Sequence, residues 1–169
     1  MAISPIRTMP DPVLRQRSRR VKNIDGSIHR LVDDMLVSMH ASSGIGLAAP
    51  QVGITMRVVV IQLPEEEEIV LINPQIVRRT GEIVGVEGCL SIPGYFADVQ
   101  RAAKVTVKAL DRDGKETRLK GEDLLARVMQ HEIDHLNGVL YIDHLDSLDE
   151  LRPVETLQPE ETSKPVDQI

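Results

Sequence analysis

Two segments of the chain carry apolar residues at the three- and four-residue steps that are typical of an amphipathic helix. The first begins near Asp25, a good N-cap, and ends at Gly44. The second begins near Glu122 and ends at Asn137-Gly138, since both residues tolerate a left-handed turn. The periodic positions are Ile28, Leu31, Val32, Met35, Leu36 and Met39 in the first helix, and Leu124, Leu125, Val128, Met129, His131, His135 and Leu136 in the second.

Between these helices the pattern changes to β-branched runs and alternation, which indicate strands. RVVVIQL and IVLINPQIV predict two strands, and Pro74 in the second predicts an edge position or a bend. KVTVKAL, DRDG and KETRLK predict a hairpin, and VLYI predicts a last short strand. Because the strands cluster between one helix before and one after them, we predict an α+β fold with antiparallel pairing.

The 169 residues are enough for one domain with a sizeable core. We predict a single domain at 1–145, followed by an acidic, Pro-containing tail at 146–169. That tail has little to bury, so we expect it to be irregular.

Composition narrows the class of protein. The net charge of −6 disfavours broad electrostatic contact with nucleic acid or anionic lipid, and 2% aromatic residues leave little for base stacking. The single cysteine excludes an intrachain disulfide, and no apolar run approaches the roughly 20 residues that a membrane span needs. We expect no direct nucleic-acid specificity and no membrane partner. The expected compartment is the cytoplasm, or the plastid stroma if a transit peptide has been removed.

The stretch MQHEIDHLNGVLY places two histidines four residues apart on the second predicted helix. Residues at this spacing share one helix face, so His131 and His135 can bind the same metal ion. Glu132 lies about 100° around the helix from His131, where its carboxylate can reach a water on that ion. H-E-x-x-H is the helix signature of a metal hydrolase, although two histidines can also share a polar face without any such role.

Two histidines do not complete a catalytic metal site, which needs a third protein ligand and an open position for water. One alternative is a downstream carboxylate or histidine, as in zincin peptidases. The other is Cys89, although a lone cysteine is more often a small buried hydrophobe. The downstream candidates are Asp143, His144, Glu150 and Glu155.

Three further segments occur in a fixed order along the chain: GIGLAAPQVG, EGCLS and QHEIDHLNG. Together they resemble the three signature motifs of peptide deformylases, from about Pro10 to about Leu145. The resemblance implies a type 1 enzyme, and GYFADVQRA with Arg127 resembles the branch of plastids and cyanobacteria more than other branches. It also implies antiparallel sheets packed around a central H-E-x-x-H helix, with 1–145 as the catalytic domain.

The resemblance implies an activity and roles for individual residues. Members of this family are metal-dependent hydrolases that remove the formyl group from the N-terminal formylmethionine of new polypeptides, giving formate and a free Met amine. Glu87 and Arg101 resemble a family ion pair that steadies the Cys89 loop. The implied site residues are Cys89, His131 and His135 as metal ligands, Glu132, Gln51 and Leu90 as catalytic groups, and Ile45, Gly46, Gly88, Leu124 and Val128 as substrate-binding residues. Ile45, Leu124 and Val128 are equally consistent with plain core.

The resemblance also implies a cofactor and partners. The expected metal is one divalent ion, Fe²⁺ in the cell, with Zn²⁺, Ni²⁺ or Co²⁺ in purified protein. The expected partners are N-formylmethionyl nascent peptides and, transiently, the ribosome. Many bacterial members dock there through a long basic C-terminal helix, which the acidic tail of this chain does not resemble. The alternative function is a zincin-like metallopeptidase that uses the same helix.

Overall fold

The computed structural model describes residues 1–156 and residue 169. Within these residues it contains two α-helices and eight strands, together with short 3₁₀ turns. The helices are α1 (Gly26–Ala41) and α2 (Asp123–Leu136). The strands are β1 (Gly46–Ala48), β2 (Val58–Ile61), β3 (Ile69–Thr80), β4 (Ile83–Cys89), β5 (Ile92–Arg101), β6 (Lys104–Leu110), β7 (Glu116–Glu122) and β8 (Arg152–Pro153).

The strands form two sheets in which every pairing is antiparallel. The larger sheet has the order β1-β2-β3-β6-β7, and the smaller has the order β4-β5-β8. The predicted hairpin is the β6–β7 pair, which runs from Lys104 opposite Glu122 to Leu110 opposite Glu116. The α+β class and its antiparallel pairing are therefore confirmed.

The five-stranded sheet is covered by a helix on each face, which explains the continuous apolar run of β2. Val58 and Val60 belong to the apolar cluster that contains the buried residues of α1. Val59 and Ile61 point to the opposite face and belong to the cluster that contains the buried residues of α2. Successive strand residues face opposite sides, so a strand buried on both faces has no polar positions.

The first helix begins as predicted, because Asp25 caps it. The Asp25 carboxylate accepts the backbone N–H groups of Ser27 at 2.9 Å and Ile28 at 3.3 Å. These contacts satisfy donors that the first helical turn leaves without a partner. The helix ends at Ala41, just before Ser43, whose φ of 56° departs from the helical conformation.

The second helix, α2, lies between the two sheets. One side of it packs on the five-stranded sheet through Val128, Met129 and Ile133. Side chains on its other side reach β4 and β5, where Arg127 contacts Val99 and Glu87. This arrangement confirms the central H-E-x-x-H helix. It also removes most of the helix from water, although the helix carries several ionisable residues.

Two local predictions are wrong in part or whole. β3 lies between β2 and β6 and is no edge strand, but its register shifts between Ile72 and Gln75, so Pro74 marks a bend. The segment VLYI forms no strand, because residues 141–144 form a 3₁₀ turn. The Asp143 carboxylate accepts the Leu140 N–H at 2.9 Å and binds Arg15, and these contacts favour the turn.

The tail that was predicted to be irregular from 146 has some regular structure near its start. β8 pairs with Tyr95 and Phe96 of β5, and the guanidinium of Arg152 lies 4.4 Å from the centre of the Phe96 ring. Residues 157–168 lie outside the described residues. None of the helices in the described ranges has the length and apolar character needed to cross a membrane.

Candidate metal centre

Helix α2 brings His131, Glu132 and His135 together in the interior of the protein. Each is at most 2% exposed, and the two imidazole ring centres lie 5.0 Å apart. The spacing of four residues accounts for this proximity, and the position of α2 between two sheets accounts for the burial. Polar groups held away from water are costly unless something binds them.

Cys89, the last residue of β4, reaches the same place from the smaller sheet. The register of β4 with β5 shifts between Glu87 and Cys89, and Cys89 pairs with Ile92. The Cys89 sulfur lies 3.4 Å from Nε2 of His135. The potential ligand atoms of Cys89, His131 and His135 all lie within 4.8 Å of one another. No other such cluster occurs among the described residues.

Unsatisfied polar atoms show that this cluster fits a metal ion. Glu87 Oε1 lies 2.8 Å from Nδ1 of His131; a carboxylate only accepts, so Nδ1 carries the proton and Nε2 offers a lone pair. That Nε2 is buried and has no hydrogen-bond partner within the described part of the chain. A thiolate and two imidazoles are ligands that zinc and iron accept, and three protein ligands leave a fourth position open.

The downstream candidates for the third ligand lie elsewhere. The Asp143 carboxylate forms an ion pair with Arg15, and the His144 ring lies 2.8 Å from the Asp134 carboxylate. The Glu150 carboxylate accepts the backbone N–H of Ser147 at 2.8 Å. Glu155, also among the described residues, is outside the donor cluster. Of the alternatives, only Cys89 converges with the two histidines.

Glu87, fully buried beside the cluster, is bound on both carboxylate oxygens. Oε1 accepts from His131 and from Nη2 of Arg101 at 2.8 Å, and Oε2 accepts from Nε of Arg101 at 2.9 Å. Burial acts to raise the pKa of Glu87, but the hydrogen bonds from Arg101 and His131 lower it well below its ordinary value. The Glu87–Arg101 pair predicted from the sequence is confirmed, and its bond to His131 was not predicted.

Three ionisable side chains at the cluster, those of Cys89, Glu132 and His135, have pKa values that are shifted in the direction that favours the neutral form. Burial raises the pKa of Cys89 to about 12. Burial and then repulsion from Glu87 raise the pKa of Glu132 well above its ordinary value. Burial and then the nearby His131 lower the pKa of His135. A divalent cation opposes the first of these effects, since a thiol that coordinates a metal loses its proton.

Gln51 lies beside Cys89 and is held in one orientation. Its Oε1 accepts the Ala48 N–H at 2.9 Å, so its Nε2 must face the other way. There Nε2 donates to Ser91 Oγ at 3.1 Å and lies 3.8 Å from the Cys89 sulfur. The predicted second donor, the Leu90 N–H, donates to the backbone oxygen of Ile169 at 3.3 Å.

Of the residues predicted to bind substrate, Gly46 lies directly beside Glu132, and three others belong to or pack against one apolar cluster. Val128 is buried in the cluster on this side of the sheet, and Ile45 and Leu124 pack against that cluster. A Cβ on Gly46 would lie 2.7 Å from Oε1 of Glu132, so a side chain at this position of β1 would displace the carboxylate. Gly88 precedes Cys89 on β4 and is also buried.

Some residues of the site were not found from the sequence. Arg127 and Asp134 extend the Glu87–Arg101 pair into a larger buried network. Ile169, fully buried, belongs to the same apolar cluster as Val128. One usable signal was present: α2 carries charged residues throughout, and a charge on a buried helix requires a partner. The identities of those partners depend on the tertiary fold.

This fold and this donor set are those of a metallohydrolase with a candidate metal site made of one cysteine and two helix histidines. The family model described as polypeptide deformylase matches residues 3–151, which passes the predicted boundary at 145. The chain belongs to the polypeptide deformylase family.

Individual relatives agree with this assignment. A peptide deformylase of Dehalococcoides mccartyi strain CBDB1 is 52% identical over 155 residues, which cover 91% of this chain and 93% of the relative. The solved peptide deformylase of Legionella pneumophila superimposes with a TM-score of 0.85 at 48% identity, covering 88% of this chain and 89% of its own. The enzyme of Synechococcus elongatus, solved with actinonin, superimposes with a TM-score of 0.83 at 46% identity, covering 86% of this chain and 80% of its own. The predicted plastid and cyanobacterial branch stays a prediction, since these identities do not separate it from other bacteria.

Proposed function

We propose that the buried cluster on α2 hydrolyses the formyl group of N-terminal formylmethionine, with Glu132 as the group that moves the proton. The chain is a peptide deformylase by family, and its substrates are formylated nascent peptides. The observation that carries the residue assignment is the convergence of Cys89, His131 and His135 next to a carboxylate that has no other partner in the described residues.

The residues that would hold a divalent cation are Cys89 through its sulfur and His131 and His135 through the Nε2 atoms that face it. The chemistry that such a cation supplies is a lowered pKa of bound water, from 15.7 to about 7, and polarisation of a carbonyl oxygen. Glu87 assists by accepting the hydrogen bond from the Nδ1–H of His131, which leaves the lone pair of Nε2 for a metal ion.

Glu132 takes a proton from the attacking water as the oxygen adds to the formyl carbon. It then gives that proton to the Met nitrogen as the carbon–nitrogen bond breaks, so the products are formate and a free amine. The surroundings of Glu132 support this role, because both carboxylate oxygens are buried and lack hydrogen-bond partners within the described ranges. A carboxylate already bound by arginine would be a weaker base.

Gln51 and the Leu90 N–H stabilise the charge that develops on the formyl oxygen. Gln51 is fully buried and its amide is fixed by Ala48 and Ser91, so little reorganisation is needed when the charge develops. Removing one such donor typically costs about 2.7–4 kcal/mol of transition-state stabilisation.

The substrate peptide binds in extended form along β1. This strand lies at one edge of the five-stranded sheet and pairs with β2 alone in the described structure, so its other side can form main-chain hydrogen bonds. Gly46 and Gly88 let that peptide approach closely, and the Met side chain enters the apolar cluster beside Ile45, Leu124 and Val128.

Fe²⁺ is the ion that we assign in the cell, with Zn²⁺, Ni²⁺ or Co²⁺ as replacements in purified protein. A thiolate beside Fe²⁺ is open to oxidation, so activity is expected to decay in air. The protein works in the compartment where translation starts with formylmethionine, and it meets the nascent chain during a transient contact with the ribosome.

The test is release of formate from formyl-Met-Ala-Ser by protein purified without oxygen, with metals quantified in the same sample. We expect stoichiometric metal and formate release that stops on chelation. Cys89→Ala separates this function from a zincin-like peptidase. Loss of metal and activity supports the thiolate site, whereas retained metal with cleavage of internal peptide bonds would support the peptidase.

A further inference from the structure

Arg127 is a buried cation beside the metal cluster, and it has no part in the deformylation mechanism proposed above. Only 5% of its surface is exposed, and it lies on α2 four residues before His131, on the same face of the helix. Burying a guanidinium is costly unless its donors are bound. Its Nη1 lies 3.0 Å from Glu87 Oε2, 3.2 Å from the Val99 carbonyl oxygen and 3.3 Å from that of Gly85.

Gly85 provides the space that the Arg127 guanidinium occupies. A Cβ at position 85 would lie 2.7 Å from Cζ of Arg127 and nearer still to Nη2, so an alanine there forces the guanidinium to move. The chain therefore combines an arginine on α2 with a residue on β4 that has no side chain. Either residue alone can be changed to displace the same group.

The contact of Arg127 completes the binding of Glu87. Oε1 is shared by His131 and Arg101, and Oε2 is shared by Arg101 and Arg127. Glu87 and Asp134 supply two negative charges, which Arg101 and Arg127 balance. Without Arg127, Arg101 alone would have to balance the charge of both carboxylates, and Glu87 would lose one of the two donors on the oxygen turned away from His131.

We propose that Arg127 is a positioning residue for the metal centre. It holds the Glu87 carboxylate in the orientation that accepts the hydrogen bond from His131 Nδ1–H, and this fixes the His131 ring with Nε2 towards Cys89 and His135. This role rests on the proposed function of the cluster. Partners of metal-binding histidines typically contribute a factor of about 10–100 to metal affinity.

Metal affinity, measured by competition with a chromophoric chelator, tests this role. Arg127→Met keeps the apolar stem, and we expect the dissociation constant for Zn²⁺ to rise about 10- to 100-fold. Arg127→Lys keeps the charge with a different geometry, so affinity should recover in part. Gly85→Ala leaves Arg127 in the chain but displaces it, and should weaken affinity like Arg127→Met. Arg118→Met, at an exposed position on β7, is the matched control and should bind Zn²⁺ as the parent does.

The outcomes separate a positioning role from a structural one. Unchanged Zn²⁺ affinity in both Arg127→Met and Gly85→Ala, with lower thermal stability, would overturn the proposal and leave Arg127 as a structural ion-pair partner. If Arg127→Met does not fold, the Zn²⁺ affinities of Gly85→Ala and Arg127→Lys still distinguish the positioning role from the structural one. With metal saturating, kcat and KM should return towards parent values. A parent protein that binds Zn²⁺ but releases no formate would contradict the proposed function and leave the affinity comparison valid.

Discussion

Two fully buried glutamates adjoin His131 in opposite electrostatic surroundings: Glu87 is hydrogen-bonded to its ring, and Glu132 is the next residue of α2. Glu87 accepts hydrogen bonds from two arginines and from His131. Glu132 has no hydrogen-bond partner on either carboxylate oxygen in the part of the chain that is described. The pKa of Glu87 is lowered and that of Glu132 is raised. The same side chain is thus a fixed anion in one region and, in the proposed function, the group that carries the proton in the other.

The difference shows which of the two carboxylates stabilises the fold and which one lowers its stability. Glu87 ties β4 and β5 to α2, so its buried charge is compensated by three partners. Glu132 is a buried carboxyl without compensation, which costs stability and has no structural return. Residues that break local physical rules without compensation are expected at functional sites. The predictions below separate these two roles.

Glu132→Gln should have the largest effect and should act on catalysis alone. The amide keeps the shape but cannot move the proton, so kcat for formate release should fall about 10²- to 10⁴-fold. Metal content should match the parent, because Glu132 is outside the ligand cluster, and thermal stability should be equal or higher. An active Glu132→Gln protein with bound metal would contradict the assignment of Glu132.

Glu87→Gln should have the opposite profile, with a large loss of folding stability. It leaves Arg101 and Arg127 buried without their anion, and removing one member of a buried ion pair costs about 3–5 kcal/mol. Urea denaturation of the metal-free protein measures this directly. Equal stability of Glu87→Gln and Glu132→Gln would show that the two surroundings do not differ as the structure indicates.

Gly46→Ala places a methyl group against the free carboxylate and should disturb Glu132 without removing it. The added Cβ would lie 2.7 Å from Oε1 of Glu132 and 3.0 Å from Cγ1 of Val128. Displacing a reacting group by about 1 Å can cost on the order of 10²-fold in rate, so kcat/KM should fall by up to that factor. Gly26→Ala, at the start of α1, is a control because its Cβ would meet only the end of the Arg30 side chain at 3.4 Å, and it should leave kcat/KM unchanged.

The pH dependence of stability in metal-free protein should separate the two carboxyls by sign. Glu87, whose pKa is lowered, stabilises the fold above its unfolded pKa of about 4.3, and this stability is lost as the pH falls. Glu132, whose pKa is raised, contributes stability below about 4.3 that is lost as the pH rises towards its folded pKa. The parent minus Glu132→Gln difference should therefore fall from about pH 4.3 upward, by at most about 1.4 kcal/mol per pH unit. A difference that rises with pH would contradict the prediction.

The sequence predicted the local features of the site but not the contacts between residues that are distant along the chain. The spacing of His131 and His135 is a local property of a helix, so their convergence required no knowledge of the fold. Cys89 was assigned by family resemblance, because no spacing rule connects it to residues more than 40 positions away. The Arg127–Glu87 contact joins residues 40 positions apart and depends on how α2 packs against β4. VLYI was mistaken for a strand because Asp143 and Arg15 form a contact that its apolar pattern does not show.

The Leu90 N–H should give the smallest effect, because part of the chain itself already binds it. Ile169 is fully buried and its backbone oxygen accepts this hydrogen bond at 3.3 Å, so a substrate oxygen must displace it. If the contact is present in between half and nine-tenths of the molecules, Ile169→Asp should lower the KM for formyl-Met-Ala-Ser about two- to tenfold, with kcat unchanged. Ile3→Asp, at an exposed position, is the matched control. A KM that does not respond to Ile169→Asp would mean that the Leu90 donor is as free for substrate as the Glu132 carboxylate is.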